Sequence, residues 1–90
     1  MNWINVKTKH FADIEQNENS YTWESDMIDE PFMVAIPTNN GWITQQVVLV
    51  DEIGLQSHTD DGPTYFGYEL TDVTHWMIIE PPKNKSNSIT

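Results

Sequence analysis

The sequence predicts a mainly β or α+β fold: a small antiparallel sheet of four to five strands, with at most one short helix. Three observations carry this expectation. Apolar and aromatic runs of strand length recur along the chain, each ending at turn residues or proline. One pair of runs, 32–37 and 42–50, is separated by "TNNG", a hairpin signal. No βαβ rhythm and no internal repeat is present.

The elements follow in chain order. "NWINV" (2–6) alternates briefly and reads as a short strand. "KHFADIEQNENS" (9–20) could hold one or two helical turns, with Phe11, Ile14 and Glu15 near helical spacing, before dissolving into loop. "YTWES" (21–25) sets Tyr21 and Trp23 against Thr22 and Glu24, the period of a half-buried strand. "FMVAIP", "TNNG" and "WITQQVVLV" (32–50) form the firmest element, a hairpin whose Asn-Gly suggests a type I′ turn with positive φ at both central residues. "DEIGLQSHTDDGP" (51–63) reads as a turn or longer loop. "TYFGYEL" (64–70) is an aromatic strand, with Gly67 permitting a bulge. "TD" turns into a last strand, "VTHWMII" (73–79), which "EPP" ends because proline lacks the ladder N–H. Residues 1–82 thus read as one small domain, with 7–30 an acidic insert and 83–90 a polar tail.

Ninety residues bury only roughly 60–65% of their unfolded surface, so stability is thin. Cysteine is absent, which excludes disulfides, thiolate zinc sites and thiol nucleophiles. The core must come from apolar burial, and four Trp, three Tyr and three Phe can supply it. No apolar run nears the roughly 18 residues of a membrane span, and "MNWINVKTKH" lacks the apolar region of a signal peptide. A cytoplasmic protein is expected.

Charge is the dominant feature. The formal net charge is −10, with 14 acids against 4 lysines and no arginine. All 14 acids lie in the 73 residues between Lys9 and Lys83, which hold no Lys or Arg. Such a surface repels nucleic acid and anionic membranes, and attracts basic partners within a Debye length of about 10 Å. It also keeps a small protein soluble, which is the plainer reading.

The inventory for catalysis is poor. No phosphate-cradling glycine loop, Gly-x-Ser-x-Gly or His-Glu-x-x-His occurs. Asp51–Glu52 and Asp60–Asp61 are sequence neighbours, which a strand points to opposite faces. His75 has no Cys or His at metal-ligand spacing and reads as a structural strand residue. His58, Asp60 and Asp61 offer oxygens to a hard cation, but without the alternation and closing Glu of a calcium loop they read as a solvated turn. Nothing in the spacing of His10, His58 and His75 supports a shared zinc. The chain is expected to be no enzyme, with no catalytic residue, metal or cofactor.

"NWINV" and "VTHWMIIEPP" (73–82) resemble the opening and closing motifs of small uncharacterised proteins of tailed phages and prophages, which begin Trp-Ile-x-Val and end Val-Thr-His-Trp-Met and Pro-Pro. The matching residues are Trp3, Ile4 and Val6, then Val73, Thr74, His75, Trp76, Met77, Pro81 and Pro82. The resemblance covers about 1–6 and 31–82. The chain departs from the pattern at 7–30, where the family has Leu-Pro and a short turn. It departs again at Ile78-Ile79-Glu80, where the family tends to read Pro-Leu-Pro. The resemblance implies a phage accessory product acting in the host cytoplasm and carries no activity or site residue with it.

Within that context the acids become candidate contacts: Asp13, Glu15, Glu18, Glu24, Asp26, Asp29 and Glu30, all in the insert. Carboxylates at i and i+2 on a strand lie about 6.6 Å apart, close to the phosphate spacing along one nucleic-acid strand. Asp13–Glu15 and Glu24–Asp26 have that spacing in sequence. The expected function is inhibition of a basic host nucleic-acid-handling protein of the restriction or CRISPR kind, with no direct nucleic-acid or membrane binding. The alternative is an interaction module or homodimer using exposed aromatics such as Trp42 and Tyr65, with the acids serving solubility.

Overall fold

A computed structural model describes residues 2–79. The mainly β, antiparallel expectation holds, with eight strands in two sheets. They are β1 (Ile4–Asn5), β2 (Asp13–Gln16), β3 (Tyr21–Glu24), β4 (Phe32–Thr38), β5 (Gly41–Val50), β6 (Gly54–Thr59), β7 (Gly62–Tyr65) and β8 (His75–Ile78). A 3-10 turn, Leu70–Asp72, precedes β8. Six strands form one sheet in the order β1-β8-β4-β5-β6-β7, and β2 and β3 form a separate ribbon.

The hairpin at 32–50 stands where expected, but its turn is not type I′. Thr38 pairs with Gly41, so the central residues are Asn39 and Asn40. Neither has positive φ, and the unusual backbone falls on Gly41 at φ 130°. The Thr38 hydroxyl holds the turn, donating to Gly41 O (2.9 Å) and accepting from Asn40 N (3.2 Å). The same device recurs in "TDDG". Thr59 Oγ1 donates to Gly62 O (2.8 Å) and accepts from Asp61 N (3.2 Å), and Gly62 has φ 106°. The stretch read as a loop at 51–63 is therefore β6, a tight turn and the start of β7. The aromatic strand ends at Tyr65, earlier than expected.

The second correction concerns residues 9–20. No helical turn forms there. Ile14 pairs with Trp23 and Gln16 with Tyr21, making "DIEQ" a strand. Local spacing loses to the cross-strand ladder, because Ile14, Tyr21 and Trp23 then share one side and reach the core together.

The core lies between the six-stranded sheet and a second layer made by residues 11–28, Phe66, Leu70 and Val73. Phe32, Val34, Val47, Leu49 and Trp76 supply the sheet side, and Phe32 is fully buried. Phe11 comes from the second layer and meets Phe32 at 5.1 Å and Trp76 at 6.1 Å between ring centroids; Phe32 and Trp76 are also 6.1 Å apart. Trp76 donates its buried indole N–H to Lys9 O at 2.8 Å, so the ring satisfies its polar atom while anchoring the approach to β2. The acidic insert is thus also a source of core, through Phe11, Ala12, Ile14, Tyr21, Trp23, Met27 and Ile28. It is tied back at both ends. Ser25 Oγ donates to Phe11 O and accepts from Met27 N. Ile28 bridges Leu49, and Asp29 N donates to Leu49 O at 2.9 Å.

Removing the Phe11 ring should cost about 3–5 kcal/mol, the range for buried Phe→Ala. Denaturant unfolding of Phe11→Ala checks this, and a loss under about 1 kcal/mol would show that the second layer does not depend on the ring.

His10 makes stability pH-dependent. Its Nδ1 accepts from Ala12 N at 3.1 Å, its ring lies 4.4 Å from Phe11, and burial lowers its pKa from 6.5. The folded state therefore favours neutral imidazole. The contribution is complete above pH 6.5 and drains away as pH falls through the lower folded value. His10→Asn offers a similar acceptor without titrating. Chemical denaturation at pH 7.5 and 5.0 should show the wild type losing more stability than this variant.

Candidate functional site

Strand alternation sorts the candidate acids. In β2 and β3 the core-facing residues are Ile14, Tyr21 and Trp23, so Asp13, Glu15, Thr22 and Glu24 face solvent. Asp13 lies directly opposite Glu24, and Glu15 is opposite Thr22. Three carboxylates therefore share one small outward face, and the strand geometry of Asp13 and Glu15 is the one their i, i+2 spacing requires. Directly opposed side chains have Cβ atoms about 4.5–5.5 Å apart, where like charges destabilise the pair.

The other candidates lie elsewhere. Glu18 is exposed in the loop joining the two strands, closed by Asn17 N donating to Ser20 O at 2.7 Å. Asp26, Asp29 and Glu30 are exposed on the connection from β3 to β4. Asp26 lies beyond the end of β3, so it does not continue the spacing begun by Glu24. Asp29 takes φ 66°, and its amide is held on Leu49 O, which sets this group beside the end of β5. All seven acids are exposed, but the ladder unites only Asp13, Glu15 and Glu24.

Tyr21 sits on the flank of this ribbon near Glu69. Burial, then the hydrogen bond and charge of Glu69, push its phenol above the usual 10. Glu69 is fixed by Asp72, whose carboxylate accepts from Glu69 N at 2.9 Å. Among the described residues, no three His, Asp or Glu side chains gather as metal ligands. Asp60 and Asp61 are the central residues of the β6–β7 turn.

Sequence reasoning missed a second surface. None of the six strands of the large sheet contains Asp, Glu, Lys or Arg. On the face away from the core, register aligns Asn5, His75, Ala35 and Thr44 in one row across β1, β8, β4 and β5. Trp42, 59% exposed, and Trp3, 38% exposed, flank that row. Together Trp3, Ala35, Trp42, Thr44 and His75 line an open, mainly apolar groove of about 400 Å³. His75 meets Trp42 edge-on at 5.5 Å, and its Nδ1 lies 3.0 Å from Thr74 Oγ1. His75 is thus a wall of this groove, while neighbouring Trp76 turns into the core. The signal for the face was present in the sequence: a strand-by-strand absence of charge in a chain of net charge −10.

Replacing Asp13 by Asn should relieve the opposed pair. A gain of about 0.2–0.5 kcal/mol is expected at low salt. It should shrink as the Debye length falls from about 10 Å at 0.1 M toward about 3 Å at 1 M. Melting curves across a salt series measure both.

No protein-family model, curated protein or solved structure matches this chain.

Proposed function

We propose that this chain is a small acidic accessory protein, of the kind phages carry, that binds a basic nucleic-acid-handling protein of the host cytoplasm. It would inhibit that protein by occupying its nucleic-acid groove. The observation that carries this reading is the outward face of the β2–β3 ribbon, where Asp13 opposes Glu24 and Glu15 lies two residues along. Holding like charges in register costs stability in the free protein. A basic partner converts that cost into attraction, because its Lys and Arg relieve the repulsion as they pair. The absence of Lys and Arg between Lys9 and Lys83 leaves that stretch without a permanent cation to neutralise this face. The resemblance of its opening and closing motifs to phage proteins supports the context. Among the described residues no helix is long and apolar enough to cross a membrane.

A second reading, an interaction module built on exposed aromatics, is favoured by Trp42 and by Tyr65, 88% exposed. The acids then serve solubility.

Salt and substitution separate the two. Tagged protein should capture a basic host protein from lysate at about 50 mM salt and release it at about 500 mM, and added duplex DNA should compete. The triple variant Asp13→Asn, Glu15→Gln, Glu24→Gln should lose the partner while melting no lower than wild type. Capture that survives high salt and the triple substitution would sink the electrostatic reading.

A further inference from the structure

The charge distribution divides the molecule in two. The acidic ribbon covers the core side of the six-stranded sheet, and every Asp and Glu among the described residues lies on that ribbon or in a connection. The opposite face of the sheet carries none. Ala35 and Val48 are nearly buried on it, 5% exposed each, yet belong to no part of the core cluster. Around them stand Met33, Met77, Trp3 and Trp42. A soluble protein of net charge −10 has ample carboxylate to solvate this face and does not use it.

We propose that two copies of this chain associate face to face through the uncharged side of the six-stranded sheet, the exposed indoles of each copy seating over the Ala35–Thr44 floor of the other.

Charge selects the occupant. A basic partner finds nothing to pair with on this face and is drawn to the other side of the molecule. An acidic partner gains nothing here that an uncharged one lacks. A second copy brings the same uncharged surface and, packed this way, holds the two acidic ribbons at the far sides of the pair. Packed sheets lie about 10 Å apart, so the ribbons are separated by several such layers and by more than a Debye length at physiological salt. Shape agrees. A two-fold interface needs a surface complementary to itself, and this one carries protruding indoles beside a groove floored by Ala35 and Thr44. Size agrees as well. Six strands at about 4.8 Å spacing and about 20 Å of strand length give a flat area of about 500 Å². Side-chain relief enlarges it toward the roughly 600–1,000 Å² per partner of standard interfaces. The proposal stands on this face alone and does not depend on the acidic ribbon binding anything.

The test is the mass of the full chain in solution, by sedimentation and light scattering from about 10 µM to about 500 µM. A concentration-dependent dimer is expected, tighter at about 500 mM salt than at about 50 mM, because screening removes repulsion between two acidic copies. This dependence is opposite in sign to that of a basic partner. Trp42→Ser should weaken the dimer at least about tenfold, as loss of a central tryptophan anchor does. Thr44→Glu, at an exposed position on the β5 end of the row, should abolish it by placing an unpaired carboxylate under the indoles of the other copy. Unchanged melting would show that both variants fold. The ribbon variant Asp13→Asn, Glu15→Gln, Glu24→Gln should dimerise like wild type. A monomer throughout the range overturns the proposal. So does a dimer indifferent to both face substitutions, or one lost in the ribbon variant.

Discussion

The contact on which the structure depends is the meeting of Phe11, Phe32 and Trp76, closed by the indole N–H on Lys9 O. Phe32 and Trp76 belong to adjacent strands of the large sheet, and Phe11 belongs to the segment that crosses it. A sheet of six short strands has two faces, and a 90-residue chain has little else with which to cover one. The aromatic cluster decides which face is covered. Once Phe11 is seated, the ribbon that follows must lie over the core side, with Ile14, Tyr21 and Trp23 turned inward. Alternation then leaves Asp13, Glu15 and Glu24 turned outward. The acidic face is thus a consequence of core packing, read through the period of a strand.

What was legible in the sequence follows from how local each signal is. The 32–50 hairpin was readable because its partners are neighbours and its apolar runs are continuous. The strand "DIEQ" was not, because three of its four residues are polar and its only apolar side chain, Ile14, fits helical spacing from Phe11 as well as it fits a ladder. Its partner Trp23 decides the matter, and that pairing is a tertiary fact. "GLQSHT" failed for a related reason. Its side chains are only partly apolar, and its strand character comes from β5 on one side and β7 on the other. One clue was available. "TDDG" repeats the pattern of "TNNG", and the two turns use the same threonine hydrogen bonds. The acids were identified individually, but which of them share a face was decided by register, and the uncharged side of the sheet needed the strands to be placed before its absence of charge became visible.

The positions of the two uncommon backbone conformations bear on the same division. Asp29 and Glu52 both adopt φ 66°, the left-handed region, which Asp tolerates better than most residues and to which Glu has no such affinity. Both lie in connections near the C-terminal end of β5, and both put acids there without placing them on a strand.

Burial alone would not require that separation. The outer face of an antiparallel sheet is usually solvated, and alternation hydrophobic-in, polar-out is its ordinary pattern. Here the out positions include Trp3, Asn5, Met33, Ala35, Trp42, Thr44, Gln46, Val48, Gln56, His58, Tyr65, His75 and Met77: polar in part, with two histidines but no Asp, Glu, Lys or Arg. Solubility is a property of total charge and is indifferent to which side carries it. An acidic surface serving solubility alone would therefore have no reason to stop at the strand edges. The confinement of carboxylate to the ribbon and the connections, away from the strands of the large sheet, therefore bears on contact. The proposed pairing of two copies accounts for it: a carboxylate on the bare side would disfavour that contact, and the acidic ribbon stays facing solvent.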